Sequence, residues 1–142
     1  VSDVDCGQAG RGIATMLDRL SKLDENLGLL EALRSSGIHD KRDEWAVRYG
    51  LLESIQVVID VACEVVAQRN LGTPENYRAC IDLLAGAELL DKRLAGRLTS
   101  MVGFRNLLVH EYEEIDPKRL VGALDELGDF REFARAMAVL GD

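Results

Sequence analysis

The chain has 142 residues, enough to bury a core of its own, and is expected to form a single domain over 1–142 with a flexible stretch at 1–10. Its 25 acidic and 17 basic residues leave a formal charge of −8, which excludes a general polyanion-binding surface and requires any contact with nucleic acid to be local. No apolar run approaches the ~20 residues of a membrane-spanning helix, and the opening VSDVDCGQAG has neither a basic nor an apolar leader region; the expectation is a cytoplasmic protein, neither secreted nor inserted.

Hydrophobic residues make up 47% of the chain but aromatic ones only 5%, and two prolines are present, so Leu, Val and Ala must supply the core. That balance predicts an all-α fold, an antiparallel bundle of four to five helices joined by short connections. The first helix is expected from about Gly12 to Ser35, with Ile13, Leu17, Leu20, Leu23, Leu27 and Leu30 at helical spacing before Gly37. Asp40 is a cap for the second, which carries Trp45, Tyr49, Leu52, Ile59, Cys63 and Val66 on one side to about Asn70. Gln56 and Asp60 interrupt that run, and Asp60 reads either as a solvated edge residue or as a group that orients a basic side chain.

Thr73-Pro74 has the cap-plus-proline form of a helix start, so a short third helix is expected from there to near Gly86. Asp91 caps a fourth that continues to about Tyr112, and Asp116-Pro117 begins a final one through Leu120, Leu124, Leu127, Phe130 and Phe133. Cys6, Cys63 and Cys80 are odd in number and lack C-x-x-C spacing. They are expected to be reduced thiols, with Cys63 and Cys80 filling the core.

The chemistry gathers on the fourth helix, where no Asp or Glu occurs from Lys92 to His110 while Lys92, Arg93, Arg97 and Arg105 are cationic. In a chain this acidic the stretch is the best approach for a phosphate, although an inner, packed helix would also lack acids. At 100° per residue, Asn106 and His110 share one face, and Arg105 lies about 140° round from His110, a gap that a long arginine partly closes. Thr99, Gly103, Asn106 and His110 form a small or polar stripe, and Gly103 in mid-helix costs about 1 kcal/mol relative to Ala unless a close backbone approach offsets it. Histidine exchanges protons near neutral pH, and arginine holds phosphate oxygens as charge develops on them. The pair therefore suits RNA cleavage by 2′-hydroxyl attack on the adjacent phosphate without metal or cofactor, but a lone R-x-x-x-x-H spacing also arises by chance.

Residues 101–116, MVGFRNLLVHEYEEID, carry R-x-x-x-x-H-x-Y with Asn after the Arg and closely resemble the signature of the HepT-like branch of HEPN proteins. The likeness extends to 52–60, LESIQVVID, and to 72–77, GTPENY, and covers most of the chain after about Trp45. The resemblance implies a dimerising helical bundle that joins two such motifs in one RNA-cutting cleft, with Arg105 and His110 catalytic and Asn106 supporting them. It also implies a partner, a minimal nucleotidyltransferase antitoxin that binds the toxin and transfers AMP to Tyr112. The rival reading is a non-catalytic interaction module for that nucleotidyltransferase. Intact Arg105, Asn106, His110 and Tyr112 favour the enzyme, because a scaffold needs none of those groups in that arrangement.

Overall fold

The computed structural model describes residues 12–110 and 114–141, which form six helices and, among the described residues, no strand. They are α1 (Gly12–Ser36), α2 (Lys41–Gln68), α3 (Tyr77–Gly86), α4 (Lys92–Val109), α5 (Pro117–Leu124) and α6 (Leu127–Leu140). None is long and apolar enough to cross a membrane.

Leu20, Leu23, Leu27 and Leu30 of α1 are buried as their spacing demands, whereas Leu17 of the same expected stripe is exposed, and Gly37, at φ +85°, ends the helix by donating its N–H to the Leu33 carbonyl at 2.9 Å. Three residues on, Asp40 starts α2 by accepting from the Asp43 N–H. The short connection forces α1 and α2 antiparallel, and their cross-links record it: Arg19 meets Glu64, Asn26 meets Glu53, and Leu30 lies against Gly50. A Cβ at Gly50 would sit 2.8 Å from Leu30 Cδ2, so glycine is what lets the two helices approach there.

The face that α2 buries differs from the one expected. Val47, Leu51, Ile55, Val58, Ile59, Ala62, Val65 and Val66 turn inward, whereas Trp45 and Tyr49 are about two-thirds exposed, at 66% and 65%. The expected stripe holds at Ile59 and Val66 but starts on the wrong side of the helix at Trp45 and Tyr49, because Val47 and Leu51, two positions further on, take the places in the core.

Three boundaries also shift. Helix α3 starts at Tyr77, not at Thr73-Pro74, because Asn76 accepts the Ala79 N–H at 2.9 Å and becomes the cap. Helix α4 stops at Val109, ahead of Tyr112, with His110 as its C-cap. The expected last helix is two, α5 and α6, broken at Asp125-Glu126 after a start that the Asp116 cap and Pro117 mark as read. In the turn between them the Asp125 N–H is shared by the Val121 and Gly122 carbonyls.

Cysteine chemistry is corrected as well. Cys63 on α2 and Cys80 on α3 are joined in a disulfide, with Cα atoms 5.1 Å apart and a sequence separation of 17, rather than being reduced thiols. Their core role stands, since Cys80 is buried and Cys63 packs against the core. The pairing follows from the reversal of chain direction between α2 and α3, which no C-x-x-C spacing announces. Cys6 lies outside the described residues.

Candidate active site

Helix α4 buries Leu94, Ala95, Leu98, Met101, Val102 and Leu108 and so turns Arg105 toward α2 and α3. There the Arg105 Nε donates to Gln56 Oε1 at 2.8 Å, and the Gln56 Nε2 donates in turn to Asp60 Oδ1 at 2.9 Å. Gln56 and Asp60 stand one turn apart on α2, and all three side chains are half-buried. On another side the Arg105 Cζ lies 5.6 Å from the centroid of the Tyr77 ring, the first residue of α3. Three helices thus converge on one guanidinium. Asp60 is neither fully solvated nor in direct contact with the basic group: half-buried, it is linked to Arg105 through Gln56.

His110 closes α4 with φ −82° and ψ 90°, is exposed, and lends its carbonyl to the Arg48 Nη2 at 3.3 Å. Because Arg48 contacts His110 and Gln56 contacts Arg105, the 48–56 stretch of α2 runs antiparallel beside residues 105–110. Asn106 is exposed on the His110 face. A Cβ at Gly103 would meet nothing within 4 Å, so no close approach inside the described chain accounts for a glycine there. Tyr112 lies outside the described residues.

The acid-free cationic run does not act as one patch. Arg97 is taken by Asp129 of α6, Nε to Oδ1 at 2.9 Å. Lys92 and Arg93 occupy the first turn, about 20 Å from Arg105 at the rise of an α-helix. What remains at the motif is Arg105 with Arg48 close to His110. One turn beyond Asp60, burial pushes the Glu64 carboxyl above its ordinary range; Arg19 opposes that rise and the charge of Asp60 adds to it.

Arg48 and Tyr77 were not singled out from the sequence as site residues. For Tyr77 the signal was present, in the 72–77 stretch that shares the family likeness; for Arg48 none was, since its link to His110 spans 62 positions. A cleft of about 480 Å³ opens elsewhere, between α1 and α2, lined by Leu29, Leu30, Leu33 and Tyr49 among others, and holds no motif residue. Of the motif residues, Asn106 and His110 are exposed and Arg105 is half-buried.

Residues 14–137 match the family described as Ribonuclease HepT-like. Over 122 residues the chain is 27% identical to the mRNA nuclease HepT of Shewanella oneidensis, covering 83% of this chain and 92% of that one. Over 114 residues it is 32% identical to the tRNA nuclease HepT of Aphanizomenon flos-aquae, covering 79% and 72%. The fold is similar to that of a tri-AMPylated Shewanella oneidensis HEPN toxin solved in complex with its MNT antitoxin, at a TM-score of 0.81 and 25% identity over 87% of this chain and 96% of that one. With its all-helical bundle and a match along nearly the whole described chain, this protein belongs to the HepT-like ribonuclease family.

Proposed function

We propose that this single-domain ribonuclease is the toxin half of a toxin–antitoxin pair, a homodimeric endoribonuclease that cuts RNA without metal at Arg105 and His110. The observation that carries the reading is the state of Arg105. Its Nε is held by Gln56, while neither terminal amino group has a hydrogen-bond acceptor among the described residues, and His110 stands exposed five residues on. A fixed cation and an exposed imidazole five residues apart in the chain are the two groups that cleavage of a phosphodiester requires.

In the proposed reaction His110 takes the proton of a ribose 2′-hydroxyl, whose oxygen attacks the adjacent phosphorus. The bond to O5′ breaks, O5′ receives a proton, and the products end in a 2′,3′-cyclic phosphate and a 5′-hydroxyl. A second copy of His110, across a dimer in which the α4 helices face each other, supplies that proton. Arg105 stabilises the charge gathering on the non-bridging oxygens, and Asn106 supports the pair from the His110 face. The partner is a minimal nucleotidyltransferase antitoxin: the Tyr112 phenol oxygen attacks the α-phosphate of ATP, pyrophosphate leaves, and the adenylate blocks the cleft. Support comes from relatives named as mRNA and tRNA nucleases and from the AMPylated toxin solved with its antitoxin.

Incubation of the purified protein with total cellular RNA tests this. The wild type should release fragments ending in cyclic phosphate, equally well with a chelator present, whereas Arg105→Ala and His110→Ala should each lose at least about 100-fold in rate with helicity intact. Cleavage that survives both substitutions, or that needs a divalent cation, defeats the proposal.

A further inference from the structure

Arg105 is held differently from three other half-buried arginines whose partners lie on neighbouring helices; a fourth, Arg48, meets the His110 carbonyl. Arg19 meets Glu64, Arg97 meets Asp129, and Arg131 meets Asp24 and Glu31, each a carboxylate. Arg105 forms no ion pair among the described residues; a neutral amide accepts from it. The carboxylate that belongs to the cluster, Asp60, stands one amide further away.

We infer that Gln56 is a positioning residue that fixes the Arg105 guanidinium without cancelling its charge, and that Asp60 sets the direction of the Gln56 amide. This inference rests on the ribonuclease reading above. An ionised carboxylate only accepts hydrogen bonds, so Gln56 must present its NH₂ to Asp60 and is left to offer its oxygen to Arg105. Through that oxygen the amide binds Nε, the one N–H donor on the side of the guanidinium near its stem. Both Nη groups then point away from the stem as a fork, so RNA phosphate is taken end-on, through Nη1 and Nη2. A carboxylate at position 56 would make as good a hydrogen bond but would neutralise the cation that the phosphate needs, in a chain already at −8. Tyr77 completes the cradle from α3 with a ring face that attracts the cation and carries no net charge.

The decisive variant exchanges the two groups, Gln56→Glu with Asp60→Asn. It preserves the net charge and allows the same hydrogen bonds, with the asparagine amide donating to the new carboxylate, but brings the negative charge into contact with Arg105. The expected result is a folded protein with kcat/KM for RNA at least about 100-fold lower, while Gln56→Ala, which loosens Arg105 and leaves its charge, loses about tenfold. A purely structural role gives the opposite order, with the exchange near wild type and Gln56→Ala the more damaged; that order overturns the inference. If the exchange variant does not fold, Gln56→Ala decides: a tenfold loss with helicity retained supports positioning, and unchanged kcat/KM overturns it. Wild-type protein that cuts no RNA defeats the function proposed above but not this inference, which binding of a 2′-O-methyl oligonucleotide then decides. Binding at least tenfold weaker to the exchange variant, or to Gln56→Ala where the exchange does not fold, supports the inference, and equal binding overturns it.

Discussion

Cys63 on α2 is bonded to Cys80 on α3, one turn along from Tyr77, whose ring faces the guanidinium of Arg105. The covalent link therefore braces two of the three helices that surround that side chain. Closing a loop of this size limits the unfolded chain and contributes about 3 kcal/mol. Reduction by dithiothreitol should lower the melting temperature by on the order of 10 °C, and Cys63→Ser should melt at that lower value with or without the reductant. Cleavage should fall less than stability does, since Gln56 still holds Arg105 from within α2. Superimposable melts of the oxidised and reduced protein would remove the brace.

Dimerisation is read from Gly103. Its Cβ position is open, it sits on the face shared by Asn106 and His110, and a glycine there costs α4 about 1 kcal/mol relative to alanine with no compensation inside the described chain. A second α4 lying against this stripe would supply one. Gly103→Leu should raise the dimer dissociation constant by about tenfold or more and reduce cleavage in parallel, because the proposed site draws on both copies of the motif. Sedimentation equilibrium measures the first and an RNA assay the second. A wild type that is monomeric at micromolar concentration yet fully active sinks the proposal.

Tyr112 follows His110 by two residues, so an adenylate there would bring a bulky anion to the groups proposed to bind phosphate. With the cognate nucleotidyltransferase and ATP, the wild type should gain the mass of AMP on Tyr112 and lose cleavage while keeping its helicity. Tyr112→Phe should go on cutting RNA under the same treatment. Absence of adenylate from Tyr112 in the treated wild type is the result that overturns this regulation.

The α1–α2 interface carries a pH dependence with a definite sign. The Tyr49 hydroxyl, 2.6 Å from Glu53 Oε2, and the Asn26 amide at 2.8 Å from Oε1 hold the Glu53 carboxyl below its ordinary range against the opposing effect of burial. A carboxylate depressed in the folded state contributes stability above its unfolded pKa, and that contribution is lost as pH falls through the folded value. Glu53→Gln should therefore melt below the wild type at pH 7, and the gap should close below about pH 4, the usual carboxylate range. Thermal melts across pH 3–7 check this; a gap that stays constant assigns the effect to packing instead.

Local signals were legible in the sequence because they act within one turn. Asp40, Asp91 and Asp116-Pro117 mark the helix starts at which they are found, and the leucine spacing of α1 gives its buried face. The same range explains the errors: Asn76 competes with Thr73 over three residues, and the turn at Asp125-Glu126 interrupts an apolar pattern that continues across it. The motif from Arg105 to Tyr112, contiguous in sequence, carries the family likeness, and Gln56 and Asp60 stand out as polar groups in an apolar run. Tertiary structure alone decided what each group meets. The Gln56–Arg105 bond joins positions 49 apart, Arg97 is removed from the cationic run by Asp129 at 32, and Cys63 finds Cys80 at 17. Helical periodicity constrains neighbours three and four residues apart but leaves the register of one helix against another to the packing of the core, and that register chooses these partners.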